Sequence, residues 1–234
     1  MRIDFEAFDW RAVELSPLLI SCRTALIATA ITFFLGVWAA WKVCHAGARV
    51  SGVMDSVFTL PLVLPPTVVG MILLMIFGKN APVGRLLQAM GTQVVFSFGA
   101  TVICAVVVTF PLMYRTARGA FEQIEADVLS AARTLGMRET AVFWRVAMPQ
   151  AGPGIAAGTV LVFARALGEF GATLMLAGNI AGRTQTMPIA IYFAIQGGKN
   201  ELALFWSAIV LALSFTVIGL MNRITGRPRR RGRK

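Results

Sequence analysis

FEQIEADVLSAARTLGMRETAVFWRVAMP, residues 121–149, is a polar interval between two apolar runs, one ending near Tyr114 and the other starting at Pro149. Phe121, Ile124, Val128, Ala132 and Leu135 recur at three- and four-residue steps, which lays one apolar stripe along a helix. Glu122, Glu125, Asp127 and Arg133 take other faces. Gly136 follows directly, where helices commonly end in a left-handed cap. A second short helix is expected over residues 139–148, ending at Pro149. Two short helices around a glycine turn, hung between two greasy runs, make a compact knob suited to contact with another protein. A helix lying flat on the bilayer would have the same composition.

The surrounding sequence sets the class. Of 234 residues, 57% are hydrophobic and only 14% charged, where a soluble domain keeps roughly a quarter charged. The mean hydropathy is +0.72. The apolar runs are continuous rather than alternating, so the expected fold is an all-α membrane protein and not a barrel. Five spans are expected, over residues 16–41, 53–77, 94–114, 150–177 and 202–221. The second contains Pro61, Pro65 and Pro66, which remove backbone donors and force a kink or break. Residues 78–93 form a short link punctuated by Gly and Pro, and PIAIYFAIQ at 188–196 is apolar but too short to cross. The whole chain, 1–234, is expected to be one transmembrane domain, with 121–148 as a loop within it and 223–234 as a basic tail.

The net charge of +11 invites a nucleic-acid reading, but its distribution opposes one. Arg227, Arg229, Arg230, Arg231, Arg233 and Lys234 directly follow an apolar run, as anionic headgroups and the positive-inside rule favour. The link after the first span, the 115–145 interval and this tail carry most of the Lys and Arg. Five spans put all three on one side, so they are expected to be cytoplasmic, with the acidic N-terminus periplasmic. Asp4, Glu6, Asp9 and Glu14 near the start also argue against a cleavable signal. Cys22, Cys44 and Cys104 have no metal-site spacing and read as small buried hydrophobes, and the lone His45 marks the basic face. No metal site is expected.

The interval resembles the cytoplasmic loop signature of ABC-importer permeases. That signature runs Glu-Ala-Ala, three residues, Gly, nine residues, then Ile, one residue, Leu-Pro. Here Ser130-Ala131-Ala132, Gly136, Val146, Met148 and Pro149 keep the spacing, with Ser130 where the family usually has Glu. Residues 60–70 (LPLVLPPTVVG) and 163–192 (FARALGEFGATLMLAGNIAGRTQTMPIAIY) are similar to the molybdate-importer permeases within that family. Tungstate and sulfate permeases are the nearest alternatives, and sulfate permeases differ around RTQTMP. The resemblance implies a homodimeric pathway in the bacterial inner membrane and two ABC ATPase subunits on its cytoplasmic face. It also implies a periplasmic molybdate-binding protein that delivers the oxyanion. Residues 121–148 would include the coupling helix that fits the ATPase. The chain has no G-x-x-x-x-G-K-[ST] loop, so no cofactor is expected on it and ATP and Mg belong to the partner; it is a transport subunit, not an enzyme.

Arg165 and Glu169 lie four apart on the fourth span and share a face. With Arg23, which enters from the same side, they read as a charge cluster in which Glu169 is neutralised by Arg165, Arg23 or both. The competing reading makes the arginines ligands for the dianion. Pro65, Pro66, Thr67 and Gly70 are candidate pathway or gate residues beside the broken segment, and Asn179, Arg183, Thr184, Gln185 and Thr186 are candidate docking residues on the outer link. Gly154, Gly158, Ala164, Gly168 and Ala172 form a small-residue stripe, suited to a seam within one subunit or between two. A secondary carrier is disfavoured because the proline-broken span has no evident counterpart in the second half. A membrane enzyme is disfavoured because no convergent polar set is visible.

Overall fold

A computed structural model describes residues 14–225; the basic tail beyond 225 and the acidic stretch before Glu14 lie outside the described residues. Eleven α-helices follow in order among them: α1 Ser16–Cys44, α2 Ala48–Val63, α3 Pro66–Phe77, α4 Pro82–Ala89, α5 Phe98–Glu122, α6 Ala126–Thr134, α7 Glu139–Val142, α8 Met148–Leu167, α9 Gly171–Ala177, α10 Met187–Gln196 and α11 Asn200–Thr225. Four helical stretches are long and apolar enough to cross a membrane: Ser16–Cys44, Phe98–Glu122, Glu139–Leu167 and Asn200–Met221. Helices α2 and α3 pass the same test as one span bent by 109°.

The centre of the bundle is the α1–α5 seam, with α8 packed on both. Small residues allow the close approach. A Cβ on Gly36 would sit 2.8 Å from Met113 Cγ and 3.2 Å from the Tyr114 backbone nitrogen. Two hydroxyl pairs cross the same seam, Thr24 with Thr101 at 2.8 Å and Thr32 with Thr109 at 3.4 Å. Such bonds stabilise helix pairs in membranes by only about 0.6 kcal/mol each. Their larger role is register, because sliding one helix would leave four buried hydroxyls without these partners.

Four boundaries differ from the sequence reading, each for a physical reason. Helix α5 continues past Tyr114 to Glu122, and the expected single stripe over 121–135 is shared by two helices, with a break at 123–125. Phe121 and Ile124 therefore join the bundle core, while α6 starts afresh at Ala126. Pro149 does not end a helix. The turn Phe143–Ala147 is widened to π-type immediately before it, which makes room for the ring where it would meet the carbonyl of Arg145, and α7 runs through into α8. Residues 78–93 contain α4, tucked so tightly that a Cβ on Gly84 would lie 1.9 Å from the carbonyl oxygen of Gly78.

The fourth difference matters most. The expected span 150–177 is interrupted after Leu167, and Gly168, Glu169 and Phe170 separate α8 from the short α9. This interruption differs from the 109° bend between α2 and α3. Two residues of the small-residue stripe pack within the subunit. A Cβ on Gly154 would meet Ala120 Cβ at 2.9 Å, and one on Gly158 would meet Thr116 Cγ2 at 2.6 Å, both on α5.

Candidate functional site

Two places concentrate the predicted residues. The first is the exposed turn between α6 and α7. Helix α6 buries only Ala132. Its end is a Schellman cap: the Met137 N–H donates to Ala132 O at 3.2 Å, and the Gly136 N–H to Arg133 O at 2.9 Å. Gly136 has φ +79° and open space where a Cβ would go, so glycine is required by backbone conformation and not by crowding. Arg133 clamps the turn, donating from Nε to Glu139 Oε1 at 2.7 Å and from Nη2 to Glu139 Oε2 at 3.3 Å. The bond to this carboxylate raises the Arg133 pKa further above its ordinary value.

Arg133 also reaches α1. Its Nη2 lies 3.2 Å from His45 Nε2, while His45 Nδ1 lies 2.9 Å from Trp41 O and the imidazole sits tilted at 50° against the Trp41 ring, centroids 4.1 Å apart. A carbonyl can only accept, so Nδ1 carries the proton and Nε2 receives the Arg133 N–H. The basic link after α1 and the polar interval therefore meet at one end of the bundle, as their shared charge predicts. Ser130 and Ala131 are exposed, with Leu135, 83% exposed, at the tip. Val146, within the wide turn, and Met148 just after it are half-buried, and Pro149 is exposed. The signature residues split accordingly: 130–136 form the protruding helix and cap, and 146–149 belong to the span that carries it.

The second place is where the two broken spans cross. Helix α3 packs on α9 so closely that a Cβ on Gly70 would lie 2.7 Å from Ala172 Cα, and one on Gly171 3.2 Å from Pro66 Cβ and the Thr67 nitrogen. Pro65 and Thr67 remain exposed beside the crossing. Glu169 is buried in the second break. Its Oε2 accepts from Arg165 Nη1 at 2.9 Å and its Oε1 from the Ala172 N–H at 3.1 Å. The carboxylate therefore joins the end of α8 to the start of α9. Arg23 is exposed and forms no ion pair among the described residues, so the expected three-residue cluster is a pair, Arg165 with Glu169. Gly70→Ala should push α3 off α9, at roughly 1–3 kcal/mol for overpacking; the check is a lower thermal midpoint of the purified protein, with Thr67→Ala as an unaffected control.

The link between α9 and α10 is a turn held by its own side chains. Thr184 Oγ1 accepts from the Ile180 N–H at 3.1 Å, and Gln185 Nε2 donates to Asn179 Oδ1 at 2.8 Å. Thr184 and Thr186 are buried, which corrects their expected place on a docking surface; Asn179 and Arg183 are exposed and Gln185 half-buried.

Sequence reasoning missed one polar group. Asp55 on α2 accepts from Tyr114 and pairs with Arg118, both on α5, and Arg118 Nε also donates to Glu122 Oε1 at 2.6 Å. The available signal was Asp55 itself, an acid inside an apolar run.

The model of the family described as "Binding-protein-dependent transport system inner membrane component" matches residues 32–230. The "Putative molybdenum transport system permease protein YvgM" of Bacillus subtilis is 42% identical over 204 residues, covering 87% of this chain and 90% of that protein. The "Molybdenum transport system permease protein ModB" of Escherichia coli K12 is 38% identical over 216 residues, covering 91% of each. Among solved structures, a bacterial ABC transporter involved in the import of the acidic polysaccharide alginate superposes with TM-score 0.74 at 14% identity, over 98% of this chain and 85% of that one. At that identity the likeness shows the fold alone. With its α-helical spans and a family match over most of its length, the chain is a multi-pass bacterial inner-membrane protein and belongs to the binding-protein-dependent transport system inner membrane components.

Proposed function

We propose that this chain is the membrane-spanning subunit of an ABC importer for molybdate. It works as a homodimer, with two ATPase subunits that hold ATP and Mg and a periplasmic binding protein that delivers the anion. The observation that carries this reading is near full-length similarity, at 38–42% identity, to permeases named for molybdenum transport. The geometry supports it. The α6–Gly136–α7 turn projects exposed residues from between two spans and is braced by Arg133 to both Glu139 and His45. A braced turn transmits displacement where a slack linker would absorb it.

The ATPase docks on this turn at the cytoplasmic face, and the N-terminus lies outside. At the other end, Asn179, Arg183 and Gln185 meet the binding protein. Between them the α3–α9 crossing lines the pathway, and Arg165 with Glu169 holds that crossing in shape. An exposed Thr67 and backbone N–H groups suit a tetrahedral oxyanion better than Glu169, whose charge repels it.

Reconstitution with the partner ATPase and binding protein tests the reading. Molybdate-loaded binding protein is expected to stimulate ATP hydrolysis well above sulfate-loaded protein. Equal stimulation by sulfate would sink the molybdate assignment, and no stimulation by any loaded protein would sink the importer itself.

A further inference from the structure

We infer that Asp55 and Arg118 are positioning residues that tie the pathway-bearing broken span to α5, the helix that leads into the coupling turn. This rests on the importer reading above.

Helix α2 is peculiar among the spans because it buries no residue within the protomer. It is held on α5 at one level. There, Phe58 lies edge-on to Phe110 and Tyr114, with centroids 5.3 and 5.2 Å apart, and Asp55 reaches over to the Tyr114 hydroxyl and the Arg118 guanidinium. Both carboxylate oxygens are engaged, Oδ1 by Tyr114 and Oδ2 by Arg118. Arg118 is engaged on its other edge by Glu122 at 2.6 Å, and its Nη1 lies 3.3 Å from the Tyr114 hydroxyl.

What the tie connects gives it consequence. Beyond Asp55, α2 leads through the 109° bend at Pro65 into α3, which carries Thr67 and Gly70 against α9. Beyond Arg118, α5 ends one turn later at Glu122, and α6 begins at Ala126. A push on the coupling turn reaches α5 through the short link 123–125, alongside its direct route into α8 through α7. The ring contacts resist compression but permit sliding, whereas a doubly engaged carboxylate fixes register along the helix axes. Asp55 and Arg118 therefore convert movement of α5 into movement of α2.

The test uses the assembled transporter in vesicles and reads the ratio of ATP hydrolysis with and without molybdate-loaded binding protein. Asp55→Asn and Arg118→Gln are expected to lower that ratio roughly fivefold or more, leaving the basal rate within about twofold. Because the two act as one link, the double variant should lose no more than either alone. Unchanged ratios, or losses that multiply in the double variant, overturn the proposal. Should Arg118→Gln fail to assemble, Tyr114→Phe replaces it in the same cycle, since it keeps the ring and removes only the hydroxyl. A wild-type transporter that ignores the loaded binding protein overturns the importer reading and this one together; failure confined to the variants overturns only the tie.

Discussion

Glu169→Gln should lower the yield of assembled protein in detergent and destabilise what remains by about 2 kcal/mol. Breaking a buried ion pair by removing one partner costs about 3–5 kcal/mol. That range is discounted here because the Arg165 side chain is 38% exposed and recovers water. The loss has two parts. A neutral amide gives up the charge-assisted bond to Arg165 Nη1, and it accepts more weakly from the Ala172 N–H that starts α9. Glu169→Ala, which also leaves a void in a group only 3% exposed, should be worse. Size-exclusion profiles and thermal midpoints would show both effects. Normal assembly of Glu169→Gln, with a change confined to which anion is carried, would move Glu169 from the scaffold to the pathway.

This pair illustrates what the sequence could and could not reveal. A spacing of four placed Arg165 and Glu169 together because that rule needs only a local helix turn. The same rule missed that Glu169 lies in a break, since glycine is common inside membrane helices and Gly168 gave no stronger signal than Gly154 or Gly158. Pro65-Pro66 was readable because proline acts on its own backbone, wherever it packs. Pro149 misled for the complementary reason: widening the preceding turn at Phe143–Ala147 relieved the clash, and only the neighbouring elements decide whether a turn can widen. Asp55 showed in the sequence only as an acid inside an apolar run; its partners lie 59 and 63 positions away, and no periodicity spans such a separation. Thr184 and Thr186 were placed by position on a link; the Thr184 hydroxyl turns inward to accept from the Ile180 N–H, while the Thr186 hydroxyl is buried without a hydrogen-bond partner.

The strongest test of the coupling turn is at Gly136. Its φ of +79° costs an L-residue roughly 1–2 kcal/mol, and a β-branched residue more. Because open space surrounds the Cβ position, Gly136→Val should not disturb packing, and the bundle is expected to assemble with an unchanged thermal midpoint. The strain falls on the cap alone, where the Met137–Ala132 and Gly136–Arg133 bonds compete with it. A penalty of 1–2 kcal/mol shifts the ratio of capped to uncapped turns by roughly 5–30-fold. The expectation is therefore a drop of up to that size in binding-protein-stimulated hydrolysis, with Gly136→Asn closer to wild type because asparagine tolerates the left-handed region. The graded order Gly, Asn, Ala, Val would trace the effect to backbone conformation. If Gly136→Val hydrolyses ATP and imports at the wild-type rate, the turn is not the element through which the ATPase acts, and the exposed Leu135 beside it has no docking role to explain its exposure.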